Sequence, residues 1–304
     1  MKRSSLSTAG FSTLAAIFFS QLFSPAPGHS FARLIGRVVG LFPNGSAYRS
    51  LRVNQWIASG KQLVGRALDQ AVKQVFVNQG SALYDFYRAL SHPEIAREKV
   101  SFTPAFDRLV EECRKEQVAT LLLIPHLSGF NLGGLRLVQE GLRYLTLVNP
   151  DTSKAYAWQN ELRNRNGMEV EPFTIHALGL ARERLKSGGT VLTGIDRPLE
   201  NSKYAPRFFG YPSALPVAYV RLALKSAARV FVVGFTTLKD HTHLIDVSEQ
   251  VQLVHYRDGA EELERNAEKV LQQAEVFIRR DPAQWMMFTP VWPEEMAKLE
   301  GEPG

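Results

Sequence analysis

The stretch Val118–Gly134, VATLLLIPHLSGFNLGG, constrains this chain more than any other. Its mainly apolar run, Val118 to Ile124, is short enough to be one strand buried on both faces. The run stops at Pro125, and a polar turn follows with His126, Ser128 and Gly129. Asn131 stands where a helix would begin, and Leu132, Leu135, Leu137 and Val138 continue as a partly apolar surface. A strand–loop–helix of this kind puts its loop at the carboxyl end of a parallel sheet, where open α/β folds keep their ligands. His126 lies five positions before Asn131, close enough for the side chains to meet around the turn. A histidine so placed is suited to take a proton from a substrate hydroxyl near neutral pH, with a neighbour fixing its tautomer. The same residues also read as turn formers, Pro125 and Gly129, and as helix caps, His126 and Asn131.

Downstream, strands and helices alternate. Tyr144–Val148, Thr190–Ile195 and Arg229–Thr236 read as strands, with His243–Val247 as an antiparallel addition. Asp151–Asn164, Ala177–Lys186, Pro216–Ser226 and Gly259–Arg279 read as helices, and Glu169-Val170 as the start of a turn to Pro172. Upstream, Leu51–Leu90 and Phe102–Lys115 are helical by the spacing of their apolar residues. This pattern predicts an α/β fold, with a mostly parallel central sheet sandwiched by helices and a helical N-terminal region. Residues 46–304 are expected to form a single α/β domain, preceded by a membrane-associating segment over 1–45.

That first segment has two readings. Lys2 and Arg3 precede Ala9–Phe23, a moderately apolar stretch interrupted by serine, threonine and glutamine, shorter and more polar than a spanning helix. Phe31, Leu34, Ile35, Val38 and Val39 continue as a helical stripe beside Arg33 and Arg37, which fits an amphipathic or shallow membrane anchor. A helix packed on the domain's own core fits equally. The formal net charge of +6 favours anionic partners, and no nucleic-acid-binding module is present. Cys113 is the only cysteine, which excludes an internal disulfide or a cysteine-built zinc site and suits a reducing compartment. Ser128 lacks a Gly-x-Ser-x-Gly elbow, no dinucleotide or phosphate-loop fingerprint appears, and His241 and His243 read as exposed edge residues without a third ligand.

Several segments together resemble the lysophospholipid and lipid A biosynthesis acyltransferases, a family that includes phosphatidylinositol mannoside acyltransferases. They are His126 with Asn131 five positions on, Arg163–Pro172 (RNRNGMEVEP), and Gly188–Pro198 (GGTVLTGIDRP). Phe208-Phe209-Gly210 followed by Pro216, and Asp281–Trp285 (DPAQW), complete the set. The resemblance spans about Leu34–Trp292. It implies transfer of a fatty acyl group from an acyl carrier protein or coenzyme A thioester to a hydroxyl of a membrane glycolipid or lipid A-like acceptor. It implies no cofactor or metal beyond that donor. By the same resemblance His126 is the general base, Asn131 occupies the place of the family's acid, and Arg163, Asp196 and Arg197 belong to the substrate pocket. The alternatives are a solvated helix face for Arg163 and, for Asp196 and Arg197, an ion pair supporting the neighbouring loop. The implied location is the cytoplasmic face of the inner membrane, held peripherally or by a shallow anchor. Asn131 is the main departure: an amide still orients an imidazole but does not neutralise imidazolium. Val217-Ala218 replaces the usual glycine after Pro216, and Met287–Pro290 follows Trp285. A catalytically silent lipid-binding relative is therefore the competing expectation.

Overall fold

The computed structural model describes residues 24–149 and 154–301. The described chain begins with two helices, α1 (Pro25–Val39) and α2 (Ser46–Ala58), and the long α3 (Gly65–Ser91). A short α4 (Glu94–Lys99) leads into β1 (Val100–Phe102) and α5 (Pro104–Arg114). The alternating part then runs β2 (Thr120–Ile124), α6 (Phe130–Gln139), β3 (Tyr144–Val148), α7 (Lys154–Arg165), β4 (Glu169–Pro172), α8 (Ile175–Lys186) and β5 (Thr190–Gly194). A small hairpin, β6 (Arg207–Phe208) and β7 (Tyr211–Pro212), precedes α9 (Ala218–Ser226), β8 (Arg229–Thr237) and β9 (His243–Val247). The amphipathic α10 (Gly259–Arg280), a 3₁₀ turn at Pro282–Gln284 and α11 (Pro293–Gly301) close the described chain.

Seven strands form one sheet in the order β1-β9-β8-β2-β5-β3-β4. Every pairing is parallel except that of β8 with β9. The mostly parallel sheet and helical N-terminal region agree with the sequence reading. Glu169–Pro172 and Val100–Phe102 depart from it, and α4, the β6–β7 hairpin and α11 have no counterpart in it. Glu169–Pro172 is the edge strand β4 rather than a turn, because its backbone pairs with β3 from Leu145↔Glu169 to Val148↔Pro172. Val100–Phe102 is a strand that no alternation marks: three residues are too few for a period, and pairing with β9 defines it. The helix expected from Phe102 starts at Pro104, where Thr103 caps it by accepting from the Phe106 N–H.

All five residues of β2 are buried, as expected for a central strand covered on both faces. β2 lies between β8 and β5, with Ile124 opposite Gly194. After β2 the chain runs toward β3, whereas after β5 it runs to β8 on the far side of β2. The connections leave these neighbouring strands in opposite directions, the arrangement that opens a crevice at a parallel sheet's carboxyl edge.

Helix α1 packs along α3 through small residues four apart, Gly28, Ala32, Gly36 and Gly40. A Cβ at Gly36 would lie 2.6 Å from the Phe76 carbonyl oxygen, and one at Gly80 of α3 equally near that of Ala32. Close backbone approach leaves the larger Leu34, Ile35, Val38 and Val39 exposed, with Leu41 and Phe42 beyond them. The stripe read from the sequence is therefore not the packing face. Among the described residues no helix is long and apolar enough to cross a membrane. The stretch Ala9–Phe23 lies outside them.

A buried polar cluster ties α1 and α3 to the sheet. Asp85 accepts from Lys99 Nζ at 2.5 Å and lies 3.0 Å from His29 Nε2, with His243 Nε2 at 3.6 Å. His243 is 1% exposed, so it is a core residue and not the exposed edge histidine expected. His241 lies in the β8–β9 turn, its ring stacked 4.3 Å from that of His29. Burial opposes the Asp85 charge, but His243, His29 and Lys99 outweigh it and hold the carboxyl well below its usual range. A carboxylate depressed in this way contributes stability above about pH 4 that is lost as pH falls toward its folded value. Asp85→Asn is thus expected to cost about 3 kcal/mol at pH 7, with the gap to wild type narrowing below about pH 4. Urea denaturation across pH measures both; a gap independent of pH would refute the assignment.

Candidate active site

The register of β2 against β5 builds the centre of the site. Ile124 stands opposite Gly194, and the Ile195 N–H donates to the Ile124 carbonyl at 3.2 Å. Two residues beyond each strand, His126 and Asp196 therefore come side by side. His126 Nδ1 is 2.5 Å from Asp196 Oδ1, and the His126 backbone N–H donates to Asp196 Oδ2 at 2.8 Å. Trp285 Nε1 donates to the same Oδ2 at 2.7 Å. Asp196 is fully buried, while the His126 side chain keeps 18% of its surface open.

Burial alone would raise the Asp196 carboxyl. The His126 ring, its backbone N–H and the Trp285 indole outweigh that and hold it below the usual carboxylate range. Nδ1 of a neutral His126 must then carry the proton donated to the carboxylate, which leaves Nε2 as the basic nitrogen. Gly194 makes room for this ring: a Cβ there would meet His126 Cε1 at 2.7 Å.

The loop carrying His126 is clamped by the segment after α10. Gln284 O accepts from the Ser128 N–H and His126 O accepts from the Met286 N–H, each at 2.8 Å. Leu127 and Trp285 form an isolated antiparallel bridge between them. Gln284 also receives the Thr237 N–H at 2.6 Å and returns its amide to the Thr237 carbonyl, fastening the segment to the end of β8. Beneath Trp285 lie Phe208, Phe209 and Trp292, with ring centroids 5.8 to 6.1 Å from the indole. Phe209 sits at φ +51° and Gly210 at +83°, both central residues of the two-residue turn between β6 and β7. The Phe-Phe-Gly and DPAQW segments, far apart in sequence, thus converge on the carboxylate that holds His126. Removing the indole donor in Trp285→Phe is expected to cost about 1–3 kcal/mol in stability. Urea denaturation tests this; an unchanged midpoint would show that Trp285 does not hold Asp196.

Asn131 does not take the place read for it. His126 Nδ1 faces Asp196, and Asn131 Oδ1 accepts from Arg163 Nη2 at 2.6 Å. The helix begins one residue earlier, at Phe130, and Gly129 (φ +86°) precedes it, so Asn131 projects from the first turn. Arg163, 8% exposed, also donates to Asn160 Oδ1 at 2.7 Å. The ion pair between Asp196 and Arg197 does not form; the carboxylate is occupied by His126 and Trp285. His126, Asn131, Arg163 and Arg197 all line one cavity of about 1070 Å³. Leu137, Leu147, Met168, Val170, Leu178 and Leu192 supply much of its apolar wall. An imidazole with an open Nε2 beside a largely apolar cavity suits proton transfer from a hydroxyl on a ligand with aliphatic parts.

Sequence reading found His126 and the strand end bearing Asp196, but it missed the bond between them. It also missed Trp285 as the second donor and Gln284 as the clamp, although both lie in a segment it singled out.

The fold and site define an α/β protein with a histidine–aspartate pair opening into an apolar cavity. Residues 29–294 match the family described as bacterial lipid A biosynthesis acyltransferase, and the chain belongs to that family. A search of curated proteins gives no match.

Proposed function

We propose that the protein is an O-acyltransferase that moves a fatty acyl chain from a carrier or coenzyme A thioester to a hydroxyl of a membrane glycolipid. The observation that carries this reading is the His126–Asp196 pair beside the apolar cavity. His126 Nε2 removes the acceptor hydroxyl proton, and the oxygen attacks the thioester carbonyl directly. The tetrahedral intermediate collapses by breaking the carbon–sulfur bond, and the imidazolium proton goes to the departing thiolate. Asp196 keeps Nδ1 protonated throughout and offsets the charge of the imidazolium. Arg163 and Arg197 supply guanidinium forks suited to phosphate or carbonyl oxygens of the substrates. Asn131 orients Arg163 rather than His126.

The exposed apolar residues of α1, with Arg37 among them, support association with an anionic lipid surface on the cytoplasmic side of the inner membrane. The silent-relative reading rested on the missing carboxylate at position 131; Asp196 beside Nδ1 argues against it. The test is thiol release from long-chain acyl-coenzyme A and acyl carrier protein, with and without extracted membrane glycolipids. Acceptor-dependent release supports the transferase. Release without acceptor would mean a hydrolase, and no release from folded protein would favour the silent relative.

A further inference from the structure

The charged residues lining the cavity are of one sign. Arg163, Arg182, Arg197, Lys203, Arg221 and Lys225 take part, and among the described residues no carboxylate does. The chain as a whole is close to balanced, with 36 basic and 30 acidic residues, so this wall departs from the composition. The contrast holds within single helices. On α8, Arg184 pairs with Glu169, and Lys186 Nζ lies 3.1 Å from Glu183. Arg182, on the same helix but at the cavity, has no carboxylate within ion-pair distance among the described residues. On α9, Arg221 and Lys225 are one turn apart, an i,i+4 pair of like charges that destabilises a helix unless an anion lies between them. Helix α9 packs against α8, which brings Arg182 to the same rim. Arg182, Arg221, Lys225 and Lys203 are exposed, so they form the mouth of the cavity while Arg163 lies within.

We propose that Arg182, Arg221 and Lys225, with Lys203, form a binding site for a phosphate ester at the mouth of the cavity, separate from the His126–Asp196 pair. A phosphate dianion fits because guanidinium forks engage its oxygens in pairs and a one-signed cleft concentrates it. The identity of the ligand rests on the transferase reading: such a phosphate is carried either by the phosphopantetheine arm of an acyl donor or by the headgroup of an acceptor lipid.

Two matched probe pairs test the site without requiring catalysis. Equilibrium binding is measured for coenzyme A against pantetheine, and for phosphatidic acid against diacylglycerol in nonionic micelles. Wild type is expected to prefer the phosphate-bearing member of at least one pair by about tenfold or more, since a charge-assisted hydrogen bond is worth roughly that factor. In R221A/K225A, and more strongly in R182E, that preference should collapse while pantetheine and diacylglycerol bind as before. Preference confined to the coenzyme A pair assigns the site to the donor; preference confined to the lipid pair assigns it to the acceptor. No preference in either pair, or a preference that survives the variants, overturns the proposal. His126→Ala should bind all four probes as wild type does. If phosphate preference stands but wild type transfers no acyl group, the transferase reading fails alone. If transfer occurs without phosphate preference, the rim site fails alone.

Discussion

Replacing His126 with alanine is expected to lower acceptor-dependent acyl transfer by about 10²–10⁴-fold, the usual worth of a positioned general base. The hydroxyl of an acceptor is a poor nucleophile until its proton leaves, and Nε2 of His126 is the basic atom held by the site for that step. The fold should survive the change. His126 is partly exposed, its backbone bonds to Asp196 and Met286 involve no ring atom, and Trp285 still donates to the carboxylate. Donor binding should also persist, because the apolar wall of the cavity is untouched. The measurement is kcat and KM for thiol release with saturating acceptor, beside a thermal melt. Loss in kcat with KM near wild type and a melting temperature lowered by only a few degrees, the cost of taking one partner from the buried carboxylate, supports the role. Activity within a few-fold of wild type would remove His126 from the chemistry, and a melt lowered by tens of degrees would make the loss uninformative about catalysis but contradict the expected stability.

The second large effect concerns which residue holds His126. Asp196→Asn is expected to lower kcat by about 10³–10⁴-fold, the scale seen when a carboxylate that fixes a catalytic imidazole becomes an amide. The carboxylate receives three donors, His126 Nδ1–H, the His126 backbone N–H and the Trp285 indole. An amide keeps one acceptor oxygen and turns an NH₂ group toward the rest. Satisfying that NH₂ requires Nδ1 as acceptor, which moves the ring proton to Nε2 and removes the base. A buried donor left without an acceptor also costs about 1–3 kcal/mol, so the variant should be less stable. Asn131→Asp, by contrast, should leave transfer within a few-fold of wild type, because residue 131 faces Arg163. Rate constants for the two variants side by side decide the matter. A greater-than-tenfold gain in Asn131→Asp, with a loss below tenfold in Asp196→Asn, would return the orienting role to position 131.

The central strand was legible because its mainly apolar run is bounded by Pro125 and the Gly129 turn, and those signals act locally. The helices α2, α3 and α5 to α10 were legible for the same reason: an amphipathic period needs only neighbours in sequence. The strand β4 was missed because Glu-Val-Glu-Pro carries no distinctive pattern, and only its pairing with β3 makes it extended. His243 was misplaced because the burial of a short strand depends on its neighbours in the fold, here Asp85 of α3 and Thr237 of β8.

At the site, the sequence by itself determined that a histidine ends one strand and an aspartate follows another. It left open which strands are neighbours. Asn131 was the nearer partner along the chain, and a turn of five residues made contact between the two plausible. Only the pairing of β2 with β5 brings Asp196, 70 positions away, into register with His126. The same holds for Trp285, which reaches the carboxylate because its segment docks across the ends of β2 and β8. Local patterns fix the elements since they depend on residues a few positions apart. The charge pair at the centre joins two distant segments, and its geometry exists only once the sheet has chosen its strand order.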